Sequence, residues 1–147
     1  APVGLAARDT LRLEAAMPLH GQELTRQITP IEARLEKFVA FQKRDFIGRR
    51  HLLDTTNSDV SMRLVCFEMI AERAIPRTGY PLCFGGTECG RVTSGGFSPT
   101  LGKAIGMGYV EQSIARVGQS LQVRIRTEHH PAVMVRRPFH RRVKNAS

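Results

Sequence analysis

The chain has 147 residues, 41% of them hydrophobic and 24% charged, and its 22 Lys and Arg against 13 Asp and Glu give a net charge of +9. That length suffices for one domain, or for one small domain joined to part of another. No apolar run approaches the roughly 20 residues that a membrane-spanning helix needs, and the opening Ala1-Pro2-Val3-Gly4-Leu5 lacks the basic segment and apolar core of a signal peptide.

The charge is unevenly spread. Residues 1–60 hold nine Lys and Arg against eight Asp and Glu, whereas residues 61–147 hold thirteen against five. A basic second half suits an acidic partner or polyanion, or is simply solvated surface. Cys66, Cys83 and Cys89 are odd in number and lack the close Cys-x-x-Cys spacing of a zinc site. They fit a reducing compartment. The first residue, Ala1, points to a chain trimmed or cut from something longer.

Residues 5–17 predict a helix, rich in helix formers and free of internal Gly and Pro, with Ala6, Leu13 and Met17 near one face beside Leu5. Thr29-Pro30-Ile31-Glu32 has the pattern of a capping box and predicts a second, short helix. Phe38 to Phe41 looks strand-like, and Asp45 is an N-cap candidate for a helix from Phe46 to Leu53. Residues 54–61 are polar and predict a loop.

The texture then changes to short β-type runs separated by turn residues. Strands are expected over Arg63–Ile70, Tyr80–Phe84, Cys89–Thr93, Gly106–Val110, Leu121–Arg126 and Ala132–Val135. Turns are expected at Gly95-Gly96, Val117-Gly118-Gln119 and His129-His130-Pro131, and the basic tail from Arg136 is expected to fray. The fold class is therefore α+β: a short helical piece, too small to make a core alone, followed by a small all-β barrel of about six strands.

Few constellations carry chemistry. Gly96 to Lys103 suggests a phosphate loop, but five residues separate Gly96 from Gly102, Ala104 follows Lys103, and no helix follows. His129 and His130 are adjacent and would point apart in a strand. Ser94 and Ser98 have no nearby His and Asp to make a triad. The tail from Arg136 to Lys144 could hold phosphate, yet the chain has seven Phe, two Tyr and no Trp, too few for a base-stacking platform. Arg8 and Arg12 share a helix face, with Asp9 spaced to offset Arg12. They read either as helix surface or as a carboxylate-binding arginine.

Three stretches resemble one family. They are Gly4-Leu5-Ala6-Ala7-Arg8-Asp9-Thr10-Leu11-Arg12-Leu13-Glu14, then Asp45-Phe46-Ile47-Gly48-Arg49, then Gly90 to Val110 with its Arg-Val-Thr-Ser-Gly, Ser-Pro-Thr-Leu-Gly-Lys and Gly-Met-Gly-Tyr-Val. In this order they look like the carboxyl-terminal part of the glycine cleavage system T protein, a tetrahydrofolate-dependent aminomethyltransferase. The likeness runs from Gly4 to about Phe139.

The resemblance implies that residues 1–40 end a folate-binding domain and that 41–147 form a carboxyl-terminal β-barrel domain. It implies transfer of a one-carbon unit from an aminomethyl-lipoyl carrier, the H protein, to tetrahydrofolate as substrate, with release of ammonia. It implies a remainder of the T protein or a complementary chain as partner, no membrane and no nucleic acid, in a bacterial cytoplasm or a mitochondrial matrix. The family's catalytic aspartate lies upstream of the matched region, so no catalytic residue is expected here and the chain alone should be inactive. Arg8, in Ala-Ala-Arg-Asp, and Arg141 are the expected folate-binding residues; no metal is expected. A dimethylglycine or sarcosine dehydrogenase-like folate domain, or a non-enzymatic basic barrel, are the alternatives. The chain departs from the family pattern at Ala16, where Gly is common, at His20, and at Arg34-Leu35-Glu36-Lys37.

Overall fold

Two of the strands are apolar almost without interruption, and the architecture explains why. In the computed structural model, which describes residues 2–57, 60–70 and 74–140, strands β1 (Met62–Met69) and β4 (Lys103–Glu111) are buried on both faces. With β2 (Pro81–Phe84), β3 (Thr87–Ser98), β5 (Ser120–Ile125) and β6 (Glu128–Val135) they close an antiparallel barrel in the order β1-β4-β3-β2-β5-β6. Closure leaves no edge strand to pair with a second chain.

One face of these strands packs Val65, Phe67 and Met69 of β1 with Leu82, Val92, Val110, Val123 and Met134. The opposite face of β1 and β4 presents Leu64, Cys66, Ile105, Met107 and Tyr109, and these are covered by Leu13 and Ala16 at the end of helix α1 (Leu5–Glu14). Burial on both faces removes the polar alternation that a one-sided strand shows. Two of the remaining elements precede the barrel, a 3₁₀ turn at Glu36–Phe38 and helix α2 (Arg49–Asn57), and a second 3₁₀ turn, Gln112–Ile114, follows β4.

The six strands match the expected fold class, but several local expectations fail. Helix α1 stops at Glu14 instead of reaching residue 17. The amides of Ala16 and Met17 turn back to the carbonyls of Leu13 and Arg12, at 2.8 and 2.9 Å, and Ala16 takes φ +50°. This is a Schellman closure, which usually has Gly at its left-handed position, so the departure at Ala16 has a direct backbone consequence. Of the expected apolar face only Leu13 is buried; Leu5, Ala6 and Met17 are exposed.

The capping box at Thr29 forms: the Thr29 amide donates to Glu32 Oε2 at 2.7 Å, and the Glu32 amide to Thr29 Oγ1 at 3.3 Å. No helix follows, because Arg34 adopts φ +55° after a single turn. The carbonyls that would propagate a helix are taken by the barrel: Arg63 donates to Ile31 O, the Leu64 amide to Glu32 O, and Arg137 to Ala33 O and Arg34 O. Phe38 to Phe41 is likewise not a strand; it is the end of the 3₁₀ turn and an irregular segment. Asp45 is not the N-cap of α2: its Oδ1 accepts from the adjacent Phe46 amide at 2.9 Å, and with Gly48 at φ +86° the helix begins at Arg49. The helix then continues to Asn57 through residues expected to be loop, with Thr55 and Thr56 hydroxyls bonding back to the carbonyls four residues earlier.

Gly95-Gly96 is not a turn. Strand β3 runs through both glycines to Ser98, with a bulge between Val92 and Ser94. The reversal lies at Pro99–Gly102, where Gly102 has φ +65° and its amide donates to Ser98 O. Nor is His129-His130-Pro131 a turn; it lies inside β6, and the reversal is at Arg126-Thr127 with Arg126 at φ +57°.

The two central glycines of β3 differ in what they allow. A Cβ on Gly95 would lie 2.5 Å from the Pro76 carbonyl oxygen, whereas one on Gly96 would meet only Leu13 Cδ2, at 3.6 Å. Gly95→Ala is therefore expected to lower stability by about 2 kcal/mol, and Gly96→Ala by no more than about 0.5 kcal/mol. Urea unfolding of the two variants checks this; equal effects would contradict it.

Candidate functional site

Helix α1 carries three side chains with different tasks. Arg8 lies in its first turns, Arg12 one turn later, and Glu14 at its end. Spacing of four residues puts Arg8 and Arg12 on one face, but their surroundings separate them.

Arg12 is consumed by structure. Its guanidinium donates to Asp9 Oδ1 at 2.7 Å, to Glu23 Oε2 at 3.2 Å and to Ser94 Oγ on β3 at 2.9 Å. Glu23 is fully buried. Its Oε2 also accepts from the Leu19 amide, its backbone carbonyl accepts from the Tyr109 hydroxyl at 2.9 Å, and Oε1 is buried without a protein partner among the described residues. Burial of the phenol, with Glu32 and Glu23 nearby, pushes the Tyr109 pKa well above its ordinary value.

Glu14 makes the second anchor. It is buried, and it accepts from Ser98 Oγ at 2.5 Å, from the Thr100 amide at 3.1 Å and from Thr100 Oγ1 at 2.8 Å. Burial disfavours its charge, but the Ser98 and Thr100 hydrogen bonds and nearby His140 outweigh it, and the carboxyl pKa is lowered. Ser94 and Ser98 are thus neither nucleophiles nor turn surface. They hold α1 on the barrel.

Arg8 is left over. Its side chain is exposed and makes no hydrogen bond or ion pair among the described residues. It borders a cleft of about 490 Å³ formed with Leu5, Ala6, Asp9, Arg12 and Leu19. Because Arg12 is already paired with Asp9 and Glu23, the uncommitted cation of this largely apolar cleft, among the described residues, is Arg8. A guanidinium in such a setting can take a carboxylate in a two-point fork.

The remaining sequence candidates are placed elsewhere. Arg141 lies outside the described residues. Lys103, in the rejected phosphate-loop spacing, pairs with Glu68 at 2.9 Å across neighbouring strands. His129 and His130 sit side by side on β6 opposite Arg124 and Val123. Cys66 is buried against α1, and burial pushes its pKa up to about 12, as for a small core residue. Sequence reasoning missed Glu14 and Glu23: a charged residue reads as surface unless its partners are known, and those of Glu14 lie more than eighty residues away.

The geometry can be set beside known proteins. The family model described as "Glycine cleavage T-protein C-terminal barrel domain" matches residues 62–140, and "GCVT N-terminal domain" matches residues 1–43. An aminomethyltransferase of Thermosynechococcus vestitus is 48% identical over 146 residues, 99% of this chain and 40% of that protein. One of Desulforamulus reducens is 47% identical over 141 residues, 96% of this chain and 38% of that protein. The crystal structure of glycine cleavage system aminomethyltransferase T from Bartonella henselae superposes with a TM-score of 0.88 at 34% identity, over 94% of this chain and 39% of that one. The chain spans about 40% of the length of the relatives it matches.

The two helix arginines should separate on substitution. Arg12→Ala leaves Glu23 buried beside no cation and is expected to cost about 3 kcal/mol, whereas Arg8→Ala should change stability by less than about 0.5 kcal/mol. Thermal and urea unfolding of both variants reads the difference. Glu14 adds a pH dependence. Its folded pKa lies below the ordinary 4.5, so its stabilisation is complete above that value and is lost as pH falls through the lowered folded pKa. Glu14→Gln should be less stable than the parent by about 1–3 kcal/mol at neutral pH. The gap should narrow in acid, as followed by unfolding midpoints from about pH 7 to pH 3.

Proposed function

The chain belongs to the glycine cleavage T-protein family, and we propose that it supplies the carboxyl-terminal portion of a tetrahydrofolate-dependent aminomethyltransferase. In that reaction the methylene carbon of an aminomethyl-lipoyl carrier forms bonds to two folate nitrogens. Its bonds to sulfur and to the amino nitrogen break, the thiol is regenerated on the carrier, and ammonia leaves.

The observation that carries the reading is the state of Arg8: an exposed guanidinium at an apolar cleft, without a partner among the described residues, beside an arginine whose charge is already neutralised. We assign Arg8 the folate carboxylate, with Arg141 as a second cationic contact. Residues 1–40 then end the folate-binding domain, and 41–147 form the barrel domain that α1 rests on. The exposed Leu5, Leu11 and Met17 of α1 and its C-terminal turn fit burial against the larger part of the protein that the relatives possess. The lipoyl carrier H protein is the donor partner, and the site of action is a bacterial cytoplasm or a mitochondrial matrix. No helix among the described residues is long and apolar enough to cross a membrane.

Two measurements test this. In the full-length protein containing this segment, Arg8→Ala should raise KM for tetrahydrofolate about tenfold or more, since a charge-assisted hydrogen bond is lost. Arg8→Lys should recover part of it, with kcat changed far less. An unchanged KM would remove Arg8 from the site. The 147 residues alone should show no turnover with aminomethyl-lipoyl carrier and tetrahydrofolate; turnover would refute the view that they are only a portion of the enzyme.

A further inference from the structure

A second cleft, of about 580 Å³, shares no lining residue with the Arg8 cleft. It lies between the turn at Arg34 and the segment after β4, and is lined by Arg34, Glu36, Arg63, Gln112, Ser113 and Arg116, with Ala115. Among the described residues, three guanidinium groups therefore face one carboxylate.

Two of the three arginines have structural partners. Arg63 donates to Gln112 Oε1 at 2.7 Å, to Ile31 O at 2.6 Å and to Glu36 Oε1 at 2.7 Å. Among the described residues, Arg34 donates one bond, to Ala115 O at 2.8 Å. A guanidinium has five N–H donors, so most of those on Arg34 have no partner there. Its charge is also held against opposition: burial, then Arg63, then Arg137 all act to lower its pKa, with Glu36 opposing them. The third arginine, Arg116, is exposed and its side chain has no partner among the described residues. The backbone adds to the cost, because Arg34 holds a left-handed φ of +55°, a conformation that a non-Gly residue adopts only when its surroundings impose it.

We infer that this cleft is a binding site for a small polyanion, a molecule carrying two or more carboxylate or phosphate groups. An anion between Arg34 and Arg116 would occupy the free donors and offset the repulsion among Arg34, Arg63 and Arg137. The volume lies within the range of small-molecule sites and exceeds the needs of a single inorganic ion. Arg34 and Arg63 supply fixed donors, since both are tethered to the turn or to the barrel. Arg116 supplies the exposed contact.

Isothermal titration of the 147-residue protein with inorganic pyrophosphate and with citrate, at low salt, tests the site. Saturable binding of either probe is expected, and which one binds tighter distinguishes a phosphate from a carboxylate ligand. Arg116→Glu should weaken binding about tenfold or more while leaving the unliganded melting temperature unchanged. Arg77→Glu, which alters the same net charge at an exposed residue outside the cleft, should have little effect. Absence of saturable binding by both probes would overturn the inference. So would equal losses in Arg116→Glu and Arg77→Glu, which indicate general charge attraction only.

Discussion

The attachment of α1 to the outer face of the barrel is the constraint on which the rest depends. It is made with buried charge. Arg12 spans from its own helix to Glu23 and to Ser94, and Glu14 reaches Ser98 and Thr100. A buried carboxylate is tolerable only with hydrogen-bond donors or a cation beside it, so each of these groups fixes a geometry more sharply than apolar contact could. Leu13, between the two anchors, and Ala16, just past them, seal the apolar surface of β1 and β4. The helix itself is too short to persist unaided. Its orientation, and hence the position of Arg8, is set by the barrel.

The barrel in turn is shaped to receive it. β1 and β4 pair along seven residues and are covered on both faces, which needs room inside as well as outside. Gly106 makes that room: a Cβ there would lie 2.4 Å from Phe67 Cζ, so the large ring fills the space that a side chain on β4 would otherwise take. Gly90 serves the neighbouring ladder, where a Cβ would fall 1.9 Å from the Tyr109 carbonyl oxygen. Gly90, Gly95, Gly106 and Gly108 are therefore packing devices, each where a Cβ would strike backbone or a core side chain. They draw β3 and β4 together, bring Ser94 and Ser98 under α1, and leave the phosphate-loop reading without a structural basis.

How much was legible follows from where each residue's partners lie. The strands were readable because their patterns are local, and their number and order along the chain were as expected. The segment from residue 29 to 41 was not. Its capping box is genuine and forms, yet carbonyls that would carry a helix onward are held by Arg63 and Arg137, from thirty to a hundred residues away. Gly95-Gly96 shows the same limit. A glycine pair reads as a turn by propensity, but here Gly95 is small because the Pro76 backbone crosses it. At the site, the spacing of Asp9 to Arg12 already marked Arg12 as the offset arginine, but only the family resemblance gave Arg8 a ligand. Glu14 and Glu23 were invisible as anchors because their partners lie on other elements.

That contrast between Arg8 and Arg12 is what gives the proposed substrate contact its force. Both are arginines on one helix face, and the sequence separates them only by the spacing of Asp9 to Arg12. The fold completes the separation, by satisfying one and leaving the other. An arginine already paired with two carboxylates and a serine cannot be released to a ligand without stranding Glu23, whereas Arg8 can bind and release an anion without disturbing any contact among the described residues. A substrate that must enter and leave on every turnover needs a partner of the second kind. By fixing Arg12 to the barrel, the protein holds the backbone beneath Arg8 in place and leaves its guanidinium without a partner among the described residues.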